Sequence, residues 1–280
     1  MKSMVCITGA TGGLGKAFAV ECASRGWDLF LTDLHADRLA LLAKGLQNAY
    51  RAEVRFFDCD LTDLPSRTRL FEGFRSAGLR FWGLINVAGV DFEGPFSEQT
   101  RQAILTIIRL NIEATLDVTH ELLERMDPSR PFRLINVASL AAYYPMPVKA
   151  TYAASKRFLL DFSMALRDEV RSRGATVTVL CPAGMPTTPE CIESIEAQGL
   201  MGQLTTQNIG NVAAKTLDCA LQGRPVVIPG LLNQILQSAG SLVPPTSLAA
   251  LLGKRWRAAN QKCKQGTGKD MRTSAVALAT

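Results

Sequence analysis

The chain has 280 residues, 47% of them hydrophobic and 7% aromatic, with a formal net charge of +6. That length can bury one large α/β core, and a charge spread over the surface would suggest a nucleic-acid partner. Here, however, residues 254–280 hold Lys254, Arg255, Arg257, Lys262, Lys264, Lys269 and Arg272 against Asp270 alone, so residues 1–253 sum to zero. The basicity belongs to a C-terminal tail, expected to be solvated and flexible in preference to contacting an anionic surface, and a nucleic-acid-binding fold is set aside.

In chain order, Ser3 to Thr8 is a short apolar strand that ends in Thr8-Gly9-Ala10-Thr11-Gly12-Gly13-Leu14-Gly15. Ala17, Phe18, Val20 and Cys22 then give a helical apolar face. Strand, glycine-rich turn and helix is the context in which such a motif cradles a pyrophosphate. Gly9 permits the tight turn, Gly13 lets backbone approach the phosphates, and Gly15 lets the helix close on the sheet. The helix N-terminus adds unpaired N–H groups and a favourable dipole. A second strand, Trp27 to Thr32, is followed by Asp33, placed where a carboxylate takes adenosine ribose hydroxyls and repels a 2′-phosphate. Asp33 could instead cap the helix predicted over Arg38–Leu46, but Asp37 competes for that place.

On these residues the chain resembles the short-chain dehydrogenase/reductase family, whose cofactor turn reads Thr-Gly-x-x-x-Gly-x-Gly and is filled here by Thr8, Gly9, Gly13 and Gly15. The resemblance runs from about Ser3 to Gly230. It implies a three-layer, Rossmann-type, doubly wound parallel sheet of about seven strands in the order 3-2-1-4-5-6-7, with helices on both faces. It also implies a nicotinamide dinucleotide held by Thr8, Gly9, Thr11, Gly12, Gly13, Leu14, Gly15 and Asp33. Asp60 and Leu61, after the third strand, would meet adenine, or Asp60 would cap the helix that starts near Leu64. Relatives that prefer NADP carry a basic residue before the second glycine or after the acidic position. Gly12 and Leu34 stand there, so NAD is expected over NADP.

The fourth strand, Phe81 to Val87, runs into Asn86-Val87-Ala88-Gly89, similar to the family's Asn-Asn-Ala-Gly segment with valine at the second position. Asn86 is expected to hold strand ends together, and Ala88 and Gly89 to pass close to the cofactor. Glu98 to Met126 reads as one long helix with Asn111 in its middle. A buried Asn there needs a partner, whereas a surface Asn needs none. The resemblance implies that Asn111 interrupts the helix and binds a water in a proton path.

The fifth strand, Arg133 to Ala138, leads to Ser139, and thirteen residues later stand Tyr152 and, one helical turn on, Lys156. A serine at a strand's carboxyl end lies in the crevice where open α/β sheets bind ligands. An ammonium on the same helix face as a phenol favours the phenolate. By resemblance Tyr152 is the general acid and base, Ser139 donates to the substrate oxygen, Lys156 tunes Tyr152 and holds the nicotinamide ribose, and Asn111 completes the relay.

The sixth strand, Thr176 to Cys181, precedes Pro182-Ala183-Gly184-Met185-Pro186-Thr187, which resembles the family's Pro-Gly-x-x-x-Thr turn with alanine for glycine. Pro182, Met185 and Thr187 are then expected at the nicotinamide. Apolar residues between about 185 and 207 suggest a lid over a hydrophobic ligand. The apolar stretch from Gly230 to Gly253 is interrupted by Asn233, Gln234, Gln237 and Pro244-Pro245, too broken to span a bilayer.

Seven cysteines at irregular spacing, with no Cys-x-x-Cys or Cys/His pattern, point to a reducing compartment and no metal site. An N-terminus that enters a strand almost at once suggests an uncleaved cytoplasmic protein. The expectation is one domain over residues 1–253: an NAD(P)(H)-dependent oxidoreductase of an apolar or steroid-like secondary alcohol or ketone, assembled as a homodimer or homotetramer. The alternatives are a non-catalytic dinucleotide sensor and a 3-oxoacyl-thioester reductase.

Overall fold

The computed structural model describes residues 3–186, 204–240 and 242–254. Seven strands form one sheet in the order β3-β2-β1-β4-β5-β6-β7: β1 Met4–Thr8, β2 Leu29–Asp33, β3 Val54–Asp58, β4 Phe81–Asn86, β5 Phe132–Val137, β6 Ala175–Leu180 and β7 Val226–Val227. Every neighbouring pair is parallel. The predicted order is the observed one.

The helices around the sheet include α1 Gly13–Ser24, α2 Ala36–Tyr50, α3 Leu64–Ser76, α4 Arg101–Ile107, α5 Thr115–Glu124, α6 Ala150–Glu169, α7 Ile209–Leu221 and α8 Leu231–Gly240, and residues 245–254 are also helical. Period-two alternation sorts β1 between two cores. Val5 and Ile7 pack with α1, α2 and α7 through Phe18, Leu39 and Leu217. Met4 and Cys6 pack on the opposite face with Leu70 and Phe74 of α3 and Leu122 of α5. Covered on both faces, the central strands read as continuous apolar runs.

The long helix expected over Glu98–Met126 is divided. A 3₁₀ turn at Phe96–Glu98 precedes α4, whose N-cap Thr100 accepts from Ala103 N–H, and a π-helical segment, Ile108–Ala114, separates α4 from α5. Asn111 lies inside that segment and is fully buried. Extra residues in a π turn push one side chain out of the regular ladder, a distortion that hydrophobic periodicity does not reveal.

Candidate functional site

The crossover from β1 to α1 builds one half of the site. Gly9 has φ +62, and a Cβ on it would come within 2.8 Å of the Ala88 backbone. Gly15 allows α1 to sit against the Gly9 carbonyl, where a Cβ would overlap backbone. Thr8 fixes the neighbouring strand end, its hydroxyl accepting from the N–H groups of Val87 and Ala88 at 3.1 and 3.2 Å. Gly12 is the N-cap of α1 and provides no side-chain cap. The first N–H groups of that helix, at Gly13, Leu14 and Gly15, therefore lack an intrahelical acceptor and suit a phosphate. This cradle fits a dinucleotide.

Asp33 is buried at the end of β2. One carboxylate oxygen accepts from both the N–H and the hydroxyl of Thr11 at 2.8 Å each, and the other accepts from Leu34 N–H at 2.7 Å. The N-cap of α2 is His35, with no side-chain cap bond. Neither Asp33 nor Asp37 serves there, so the expected competition for that cap does not arise.

Asp60 likewise does not cap α3, because Asp63 does, accepting from Ser66 N–H. Asp60 instead accepts from the N–H and hydroxyl of Thr62, a local turn on an exposed loop. Leu61 is buried, and its carbonyl accepts from Arg67 at 2.7 Å. Arg67, itself almost fully buried, also pairs with Glu113 and with Asp117 at 2.6 Å. It thus ties the Asp60–Leu61 loop to the π segment. Nothing in the local sequence marks Arg67 for this, since its partners lie about fifty residues away.

The other half gathers on β4, β5 and α6. Asn86 donates to the Asn136 side-chain carbonyl at 2.9 Å and the Thr119 hydroxyl at 3.0 Å, and Asn136 donates onward to Ser163 at 2.9 Å. The expected bridge between strand ends is present, and its partners Thr119, Asn136 and Ser163 were not anticipated. Asn111 accepts from Val90 N–H at 2.8 Å and donates to Val90 C=O and the Ser155 hydroxyl at 3.0 Å each. Its own carbonyl accepts from the Thr115 hydroxyl. The surface alternative for Asn111 fails on burial, and every polar atom of its side chain is used, as a buried amide requires.

Lys156 is buried, its Nζ 5.7 Å from the centroid of the Tyr152 ring and 3.0 Å from the Val137 carbonyl it donates to. Burial lowers its pKa to about 8, with Asp91 and Cys181 acting in the opposite direction. Gly89 lies between Asn111 and Lys156: a Cβ there would stand 3.1 Å from Asn111 Oδ1 and 3.2 Å from Lys156 Nζ.

A second ammonium was not foreseen. Lys149, at the N-cap of α6, lies 5.9 Å from the Tyr152 ring centroid and pairs with Asp91 at 2.6 Å and Glu93 at 3.1 Å. Burial works against its charge, but the two carboxylates outweigh burial and raise its pKa. The preceding Val148 adopts φ +63, a left-handed conformation that a β-branched residue rarely takes, and its carbonyl accepts from Gly94 N–H. That bond pins the Asp91–Gly94 loop to the start of α6.

Ser139 is half-buried directly after β5 and opens a 3₁₀ turn, Leu140–Tyr143, where its Oγ accepts from Ala141 N–H. An oxygen that accepts from Ala141 still carries a hydroxyl proton to donate. The Pro182 carbonyl accepts from Leu140 N–H, joining this turn to the one after β6. Met185 packs beside the first core, and Thr187 lies outside the described residues, as does most of the expected lid and all but Lys254 of the basic tail. Cys181 is a buried thiol raised by burial to about 12, in keeping with a core residue. No cluster of three metal-ligating side chains occurs among the described residues. No helix among them is long and apolar enough to cross a membrane.

The chain belongs to the short chain dehydrogenase family, whose model matches residues 3–196. It is 28% identical to the very-long-chain 3-oxoacyl-CoA reductase-A of Danio rerio over 63% of this chain and 56% of that protein. It is 34% identical to the sulfoacetaldehyde reductase of Chromohalobacter salexigens over 65% of this chain and 72% of that protein. The chain spans about half the length of the 3-oxoacyl-CoA reductases it matches. Among solved structures, a short-chain dehydrogenase from Sphingobium yanoikuyae in complex with NADPH superposes with a TM-score of 0.72 at 27% identity, covering 98% of each chain.

Proposed function

We propose that this protein is an oxidoreductase that interconverts an apolar secondary alcohol and its ketone, with NAD(H) preferred over NADP(H). The observation that carries the reading is the pairing of Tyr152 with the buried Lys156 one turn away, Nζ 5.7 Å from the ring, on the helix that follows Ser139 and the carboxyl end of β5. A bound nicotinamide supplies or accepts the hydride. The chain's own residues move the proton that must accompany it.

In this reading Tyr152 gives its phenolic proton to the ketone oxygen in reduction and takes the hydroxyl proton in oxidation. Ser139 donates a hydrogen bond to the same oxygen as negative charge develops there. Lys156 favours the phenolate, and Asn111 and Gly89 hold the surroundings of its ammonium. Thr8, Gly9, Thr11, Gly12, Gly13, Leu14 and Gly15 would hold the pyrophosphate, and Asp33 the adenosine ribose. Asp60, Leu61, Ala88, Pro182 and Met185 would line the rest of the dinucleotide.

The preference for NAD rests on Asp33. Its oxygens already accept from Thr11 and Leu34, yet a carboxylate has lone pairs to spare for a ribose hydroxyl and repels a phosphate. The test is absorbance of the reduced nicotinamide with NADH and NADPH in parallel, over steroid, small cyclic and long-chain 3-oxoacyl thioester ketones. The names of the 3-oxoacyl-CoA reductase relatives justify the last group. Turnover is expected with NADH and an apolar ketone, and should fall by at least roughly a hundredfold in Tyr152→Phe with cofactor binding retained. Dinucleotide binding without turnover on any ketone would instead indicate a sensor.

A further inference from the structure

From Pro225 to Gly253 the chain carries no charged residue, although 20% of the whole chain is charged. Much of this run is surface. Leu231 is 72% exposed, Ile235 55%, Leu242 85% and Leu251 64%. Asn233 faces inward on α8, donating to the carbonyls of Pro229 and Thr205, while Leu231 and Ile235, one turn apart, stand on the outward side. Beyond the helix, Leu242 N–H and Val243 N–H bond back to Ala239 and Gly240, forming a turn that carries the exposed Leu242. Four large apolar side chains exposed within one uncharged run of 21 residues are more than isolated surface leucines, and such runs mark interaction surfaces.

The residues that follow directly are Lys254-Arg255-Trp256-Arg257, and four further cations stand against one carboxylate before the end of the chain. We infer that the apolar surface of residues 231–251, with these basic residues, docks peripherally on an anionic phospholipid bilayer. A bilayer is the partner that answers both features, receiving Leu and Ile side chains at the acyl boundary and attracting Lys and Arg to its headgroups. Trp suits the interface between them. A second copy of this chain would bring its own basic residues against the first, and residues 1–253 offer no net negative charge to receive them. A nucleic acid would satisfy the charge and leave the leucines in water.

The last residue of α8 touches the turn that opens at Ser139. Gly240, the last residue of α8, packs so closely on the ring of Tyr144 that a Cβ there would overlap it, and Tyr144 ends the turn that Ser139 opens. Docking would therefore bring the site next to apolar molecules dissolved in the membrane. The docking itself does not depend on the proposed reaction.

The experiment is sedimentation of the full chain with vesicles of phosphatidylcholine alone and of phosphatidylcholine with phosphatidylserine. The wild type is expected to pellet with the anionic vesicles and to bind the neutral ones roughly tenfold more weakly. A comparable loss is expected in Leu231→Gln/Ile235→Gln/Leu242→Gln and in Lys254→Gln/Arg255→Gln/Arg257→Gln, with the melting temperature held as a control. Should the triple apolar variant fail to fold, Leu251→Gln alone is expected to weaken binding by a smaller factor. Wild type left in the supernatant overturns the inference, and so does equal binding by these variants or by neutral vesicles. Light scattering that shows a wild-type oligomer dissociating in the apolar variant, without vesicle binding, assigns the surface to a second copy and also overturns it.

Discussion

Asp33 accepts both the backbone N–H and the hydroxyl of Thr11 on a single carboxylate oxygen, at 2.8 Å each. The residue at the end of β2 thereby shapes the glycine turn. Asp33→Ala is expected to do two things at once. It should relax the nucleotide preference toward NADP, and it should cost about 1–3 kcal/mol by orphaning buried donors. Parallel KM measurements with NAD and NADP and a thermal melt separate the two effects. A native preference for NADP would refute the assignment of Asp33.

Asn111→Leu removes the partner of Val90 N–H, Val90 C=O and the Ser155 hydroxyl in one step. The expected loss is about 2–4 kcal/mol, read as a lowered denaturation midpoint with unchanged slope. Gly89→Ala is the subtler variant. Its methyl crowds Asn111 Oδ1 and Lys156 Nζ, so kcat should fall more than the melting temperature does.

Lys156, with its pKa lowered to about 8 by burial, gives the protein a distinctive pH dependence. An unfolded lysine keeps its proton to about pH 10.4. Between these values the unfolded chain binds more protons than the folded one, so this residue's contribution makes stability rise with pH from about 8 to about 10. Lys156→Met should abolish that rise, and melting temperatures of both proteins without cofactor across that window provide the check.

Lys149, clamped by Asp91 and Glu93, sets a second positive charge near Tyr152. Lys149→Met leaves two carboxylates near the phenol without their cation, which disfavours the phenolate. The ascending limb of alcohol oxidation should move to higher pH, and Lys149→Arg should restore it. An unmoved limb in Lys149→Met, with activity retained, would show that this ion pair only braces the loop.

The glycine turn and the Tyr152–Lys156 pair were legible in the chain itself, because they depend on local periodicity and spacing, whereas the sheet order followed from the family resemblance that those motifs carry. Asn86 was legible as a bridge for the same reason, since it ends a strand. Hydrophobic pattern read Glu98–Met126 as one helix because a π segment changes hydrogen bonding without changing that pattern, whereas the family resemblance anticipated the interruption at Asn111. Only the tertiary structure gave Asn111 its partners at Val90 and Ser155, Arg67 its grip on Leu61, Glu113 and Asp117, and Lys149 its place beside Tyr152. Those relationships join residues far apart in sequence, or depend on one strained residue, Val148. Electrostatics and side-chain hydrogen bonding act across the distances that folding creates, and these are not written in the order of the residues.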